Sequence, residues 1–177
     1  MPTASTSFFG WVAFLLQKYG MLFLRGTGMT LLIALTGTIF GFVIGLLVAI
    51  VRATSPMPTL GRRSAAAAVR DALLKAAQLL LGAYIQVFRG TPMIVQAVVI
   101  YYGAQYAGMY MDTTFAAIFI ISINTGAYMA EIIRGGVISI DKGQFEAAHA
   151  IGMTHWQTMT TVVLPQAIRN ILPSVGN

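Results

Sequence analysis

The sequence predicts an all-α integral membrane protein, and three observations carry that expectation. Of its 177 residues, 57% are hydrophobic and 9% charged, at a mean hydropathy of +0.77. A soluble domain is about 25% charged, and a water-soluble globule could not cover its surface with so few charges. The few charges are separated by long apolar runs. The basic residues gather in particular connections, as in loops that face the cytoplasm. The sequence has no cysteine, which excludes disulfides, thiol redox chemistry and thiolate metal sites.

A spanning helix needs roughly 20 apolar residues, and a lone strand would leave its backbone polar groups unpaired in lipid. The N-terminal stretch Phe8 to Leu16 is aromatic-rich but too short to span, and Gln17 and Lys18 follow it. Residues 1–26 are therefore expected to form an interfacial segment, ahead of a transmembrane domain over 27–177. The 26 residues Gly26 to Val51 carry no charge and predict a first span at about 27–51. Ser55-Pro56-Met57-Pro58 and Gly61 break it. The Ala-rich stretch 65–77 is either a cytoplasmic or surface-lying helix or a low-complexity spacer. The backbone should bend at Arg89-Gly90-Thr91-Pro92, because proline has no backbone N–H to donate. A 22-residue uncharged run then ends at Asp112, and an 18-residue run separates Asp112 from Glu131. These predict spans at about 90–108 and 114–134. A further span is expected to begin at about 166–177, which would leave the sequence incomplete at its C-terminus.

Orientation follows from the basic residues. Arg52, Arg62, Arg63, Arg70, Lys75 and Arg89 lie in one connection, and Arg134, Lys142 and Arg169 follow the third span. The connection 109–113 holds none. The positive-inside rule puts 52–89 and 134–169 in the cytoplasm and the N-terminus and 109–113 outside.

Several residues carry candidate functions. Gly37, Gly41 and Gly45 recur every four residues, a spacing that lets two helices approach closely in lipid; the bland alternative is that glycine is common in membrane helices. Asn124, Tyr128 and Glu131 share one face of the third span. A mid-membrane amide either bonds to a neighbouring helix or lines a polar substrate path. Glu131 is either a functional intramembrane carboxylate or an interfacial partner of Arg134. In the cytoplasmic segment, Asp141 followed by Gln144 forms an N-cap pattern. A short helix over 144–151 should end at Gly152, and Thr154 to Gln157 repeats the capping pattern. Ala147 and Ala148 would let another surface pack tightly on this knob, and Glu146 offers an anchoring carboxylate.

Glu146-Ala147-Ala148, Gly152, Val162 and Leu164-Pro165 reproduce the spacing EAA-x3-G-x9-I-x-L-P, with Val162 in place of the usual Ile. This pattern resembles the signature loop of membrane subunits of ATP-binding cassette (ABC) importers. Phe88 to Gln96 resembles the FRGTP-hydrophobic-Q motif of the polar amino acid uptake branch, the histidine, glutamine and arginine type permeases. Asn124 to Gly136 resembles that branch's third-span signature.

The resemblance implies a multi-span bundle of the type I ABC importer permease type, alternating between outward- and inward-facing states. Five spans are usual in that branch. The loop 137–157 would carry the coupling helix, with Glu146, Ala147, Ala148, Gly152, Leu164 and Pro165 matching its ATPase-docking positions. Implied partners are a cytoplasmic ABC ATPase dimer, a second permease subunit (identical or a paralogue), an extracytoplasmic solute-binding protein and an amino acid substrate. The protein itself would be no enzyme and hold no cofactor. ATP and Mg would belong to the partner, since the sequence has no G-x-x-x-x-G-K loop. The expected location is the bacterial plasma (inner) membrane. A secondary transporter, the alternative, would need internal repeats and mid-membrane ionisable groups. A membrane enzyme would need clustered catalytic or metal-ligating side chains, and His149 and His155 stand apart across a Gly break. Nucleic-acid binding fails because the basic residues are spread through the cytoplasmic connections of a membrane protein.

Overall fold

The structure, a computed structural model, describes residues 7–53 and 65–175. Ser55-Pro56-Met57-Pro58 and Gly61 lie outside the described residues. The described part is helical: α1 (Phe8–Ala53), α2 (Ala65–Gly90), α3 (Met93–Tyr106), α4 (Thr113–Ile138), α5 (Lys142–Ala150), α6 (His155–Gln157), a π-helical stretch (Thr158–Val163) and α7 (Leu164–Val175). Three of these, α1, α2 and α4, are long and apolar enough to cross a membrane.

The structure differs from the sequence expectation in four places. Residues 8–26 are continuous with the first apolar run, so α1 covers 46 residues, about 69 Å at 1.5 Å per residue. Gly20, Gly26 and Gly28 do not interrupt it, because an isolated glycine costs a helix only about 1 kcal/mol. The Ala-rich stretch joins residues 78–90 in a single helix, α2, since no proline stands between them. Pro92 then breaks the helix, so the run expected as a span at 90–108 is divided. Its α3 has 14 residues, about 21 Å and shorter than a roughly 30 Å hydrocarbon core. Residues 164–175 form an amphipathic helix rather than a uniformly apolar one. Ala167 and Ile171 face inward while Ile168, Arg169 and Asn170 are exposed.

Helix ends are set locally. The Asp112 carboxylate accepts from the N–H groups of Thr114 (2.9 Å) and Phe115 (3.1 Å), starting α4. Gly108 ends α3 at φ +77°, a conformation L side chains rarely adopt, with the Met109 N–H bonded to the Ala104 carbonyl.

Packing centres on α4. Its buried face meets α1 along Gly37, Gly41 and Gly45, all three buried. A Cβ on Gly41 would stand 2.6 Å from Thr125 Cβ and 3.0 Å from the Ser122 carbonyl; one on Gly45 would stand 2.5 Å from Met129 Cβ and 2.9 Å from the Ala130 nitrogen. The approach is reciprocal, because Gly126 of α4 receives Ile44 of α1. On the other side, Ile85, Leu81, Tyr84 and Phe88 of α2 pack against Val48, Ala127 and Ala130, and the Tyr84 hydroxyl donates to the Ile123 carbonyl.

This geometry predicts graded glycine substitutions. Gly41→Ala and Gly45→Ala should each destabilise by about 1–3 kcal/mol, the usual range for overpacking. Gly28→Ala, with nothing within 4 Å of the added carbon, should be neutral or slightly stabilising through helix propensity. Thermal unfolding of the detergent-solubilised full-length protein checks the ranking, and equal melting temperatures for all three would remove the seam's importance.

Candidate functional site

Two regions gather the chemistry-bearing residues. The first is a polar cleft where the C-terminal end of α1 meets α2 and α4. Arg52, Gln86, Arg89, Tyr128 and Glu131 line a cavity of about 590 Å³ there. Glu131 sits one helical turn from Arg134 and accepts from its Nε at 2.9 Å and from its Nη2. Its other oxygen pairs with Arg52 Nη1 at 3.5 Å. The carboxylate thus ties α1 to α4 while holding Arg134 along its own helix. Arg52 lies in the last turn of α1, where a cation also meets the negative end of the helix dipole. The Arg89 guanidinium stands over the Tyr128 ring, 5.4 Å from its centroid, in a cation–π contact.

Beside the cleft lies the break between α2 and α3. A continuous α-helix would bond the Phe88 carbonyl to the nitrogen of residue 92, and Pro92 has no hydrogen there. The Gln96 side chain supplies the missing donor. Its Nε2 reaches the Phe88 carbonyl and the Thr91 carbonyl, both at 2.9 Å, and Thr91 Oγ1 at 2.8 Å. Thr91 Oγ1 in turn donates to the Val87 carbonyl at 2.8 Å. From α4, Asn124 Nδ2 donates to Gln96 Oε1 at 2.9 Å and approaches the Phe88 carbonyl at 3.4 Å. Gln96 is buried. Asn124 is therefore bonded to a neighbouring helix, while Tyr128 and Glu131 of the same face open onto the cleft. Sequence reasoning missed Gln96 as Asn124's partner and Arg52 as Glu131's, although the proline four positions before a glutamine was a readable signal for the first.

The second region is the knob after α4. The Asp141 carboxylate accepts from the Gly143 N–H at 2.7 Å and caps α5. Gln144 makes no reciprocal bond of the expected capping kind; its Oε1 accepts from Gln166 of α7 at 3.2 Å. The helix ends with Gly152 at φ +83° and the Met153 N–H on the Ala148 carbonyl. A reciprocal cap follows: the Thr154 N–H donates to Gln157 Oε1 (2.9 Å) and the Gln157 N–H to Thr154 Oγ1 (3.3 Å).

Ala148 differs from its expected role as an outward packing surface. It is 3% exposed, because α5 lies on the π-helical stretch of the same protein. Glu146 and Ala147 do face outward, with Ile151 and Trp156 strongly exposed beside them. The π-helical stretch contains Thr160-Thr161-Val162-Val163 and runs up to Leu164-Pro165. The Leu164 N–H bonds five residues back, to Met159. An α-helical ladder through Pro165 would orphan the Thr161 carbonyl, and the wider winding arises just before it. Val163 and Ala167 pack with Ile140, Val137, Phe145 and Ile171, which fastens the knob to the end of α4. Leu164 and Pro165 thus start α7, and Asn170 Nδ2 donates to Ser139 Oγ at 3.0 Å.

The described residues thus form a bundle of membrane-length helices with a charged internal cleft and a capped, exposed knob. Residues 65–177 match the family described as binding-protein-dependent transport system inner membrane component. The chain belongs to this family. It is 40% identical over 158 residues to the glutamine transport system permease protein GlnP of Escherichia coli (strain K12), covering 88% of this chain and 64% of that one. It is 34% identical over 155 residues to the arginine transport system permease protein ArtQ of Bacillus subtilis (strain 168), covering 87% and 63%. Among solved structures, a crystal structure of an amino acid ABC transporter with histidines superposes at a TM-score of 0.78 with 37% identity, covering 98% of this chain and 70% of that one. An inward-facing MetNI methionine ABC transporter shares the fold at a TM-score of 0.65 and 24% identity, covering 89% and 68%. The chain spans between 60% and 68% of the length of the curated relatives it matches.

The ion-pair geometry predicts an ordered cost. Glu131→Gln removes the negative charge that two guanidiniums share and turns one of its two acceptor oxygens into a donor, and should destabilise by about 2 kcal/mol, since bonds to charged groups contribute roughly 1.5–3 kcal/mol. Arg52→Gln should cost less, because Glu131 keeps Arg134. Chemical unfolding of the purified full-length variants measures both, and a larger loss for Arg52→Gln would contradict the arrangement.

Proposed function

We propose that this chain is the permease part of an ATP-driven importer of polar amino acids, with energy delivered by a separate ATPase subunit. The observation that carries this reading is the knob. Its capped helix α5 is held to α4 by an apolar cluster, yet the knob presents Glu146 and Ala147 of α5, Ile151 at its C-terminal cap and Trp156 of α6 to solvent. A surface fixed from behind and apolar in front suits a docking contact that must transmit force. The family membership and the relatives' named substrates, glutamine and arginine, support polar amino acids as cargo. ATP and Mg would be held by the ATPase dimer. The substrate would come from an extracytoplasmic binding protein, and a second permease subunit would complete the path. Within this subunit, the cleft with Tyr128 and Glu131 is the proposed substrate path, and Asn124 borders it through Gln96. Nothing observed favours the secondary-transporter alternative.

In this reading α2 and α3 share one crossing with the break inside it, and α5 faces the cytoplasm of a bacterium's inner membrane. The N-terminal end of α1 and residues 107–112 then face outward. The absence of cysteine makes labelling clean: an impermeant maleimide on intact cells should label Met109→Cys and spare Lys142→Cys. The reverse pattern would invert the topology.

Coupling has its own test. Gly152→Val should be the most damaging change at the knob. A β-branched residue resists φ +83°, and the left-handed region costs even simple L residues about 1–2 kcal/mol. Glu146→Ala should weaken docking by about 1–3 kcal/mol, the worth of charge-assisted hydrogen bonds. Co-purification of the full-length permease with its ATPase, alongside substrate-stimulated ATP hydrolysis, provides the readout. Wild-type retention and stimulation in both variants would refute the docking role.

A further inference from the structure

Proline inside an apolar helix leaves an acceptor without a partner, and in lipid no water is available to satisfy it. At the α2–α3 break that acceptor is the Phe88 carbonyl, and the groups that reach it are side-chain amides from two directions. Gln96 comes from α3 at 2.9 Å and Asn124 from α4 at 3.4 Å, and the two amides are bonded to each other at 2.9 Å. Gln96 also spans both sides of the break, because it holds the Thr91 carbonyl and hydroxyl. Arg89 is the residue immediately after Phe88, and it stands over Tyr128 at the mouth of the charged cleft. The direction in which Arg89 leaves α2 is therefore set by the same backbone segment that the amides hold.

We propose that Gln96 and Asn124 are positioning residues for transport: together they replace the hydrogen bond that Pro92 removes, fix the angle between α2 and α3, and so keep Arg89 in the cleft against Tyr128. The consequence for transport rests on the permease reading above, whereas the geometric part does not. Two substitutions separate the roles. Gln96→Leu deletes the clamp and leaves the Phe88 carbonyl only the longer approach of Asn124 at 3.4 Å. Adding Pro92→Ala returns an N–H at position 92, which closes the α-helical bond to Phe88 and straightens the segment. The clamp is then unnecessary for stability, but Arg89 points elsewhere.

The experiment uses the full-length permease assembled with its ATPase. Spin labels at Leu79→Cys on α2 and Val99→Cys on α3, both exposed positions in a stretch of 177 residues without cysteine, with any cysteine elsewhere in the assembly replaced by serine, report the angle across the break by pulsed electron spin resonance. Uptake of radiolabelled glutamine and arginine into proteoliposomes and the melting temperature are measured on the same variants without labels. The parent should give one narrow distance distribution. Gln96→Leu should broaden it, lower the melting temperature and cut uptake at least tenfold. The double variant Pro92→Ala/Gln96→Leu should regain a narrow distribution at a shifted distance and the parental melting temperature while uptake stays at least tenfold down. A distribution left unchanged by Gln96→Leu would overturn the clamp. Recovery of uptake together with stability in the double variant would reduce the amides to a structural role. The distances need no substrate, so they decide the clamp even where the parent imports neither amino acid, a result that would count against the permease reading instead.

Discussion

The close approach of α1 and α4 governs the rest of the molecule. Lipid tails are as apolar as leucine, so helices in a bilayer are not driven together by hydrophobicity; dispersion and short polar contacts must do it. Both fall off steeply with distance, and the buried glycines 37, 41 and 45 let the backbones of α1 and α4 meet where a Cβ would collide with Ile121, Thr125 or Met129 respectively. Gly126 returns the concession by admitting Ile44. With one side of α4 committed to α1, its remaining faces are left for α2 and α3. That is why Asn124, Tyr128 and Glu131 end up at the helix break and the charged cleft.

The polar groups inside this apolar protein follow one rule. Each is expensive unless partnered, and among the described residues no buried side-chain nitrogen or oxygen lacks a hydrogen-bond partner. The partners are of two kinds. Ser122 and Thr158 return their hydroxyls to carbonyls one turn back in their own helices, which costs the fold nothing in register. Gln96 with Asn124, and Arg52 with Glu131, join different helices, and so specify how those helices are rotated against each other. A buried interhelical pair is a weak source of net stability but a strong constraint on arrangement.

The knob beyond α4 is built differently. Its turns are closed by local devices, an Asp141 cap, the Gly152 turn and the Thr154–Gln157 box, so both ends of α5 are set by residues of the knob itself. Its attachment is apolar: Ile140, Val163 and Ala167 are almost fully buried together. A displacement of α5 therefore reaches α4 through packed side chains and not through a slack linker, since close-packed interiors transmit strain.

Much of this was determined by the sequence alone, because it depends on contacts within one or two helical turns. The membrane class follows from composition. The small-residue face of α1 follows from a four-residue spacing, and the left-handed turn at Gly152 and the cap at Thr154 follow from residue type at fixed offsets. The break at Pro92 was also legible, since a missing N–H is a property of one residue. The reach of α1 and α2 was not, because Gly20, Gly26 or an alanine run change local helix propensity by only about 1 kcal/mol and so do not fix where a helix begins or ends. The outward role of Ala148 failed for a similar reason: a small residue invites close packing, but only the fold decides that its own π-helical stretch takes the place. The pairs that define the cleft and the break were decided by tertiary structure entirely. Asn124 meets Gln96 across 28 positions and Glu131 meets Arg52 across 79, and such partners depend on the rotation and sliding of whole helices, which no local pattern encodes.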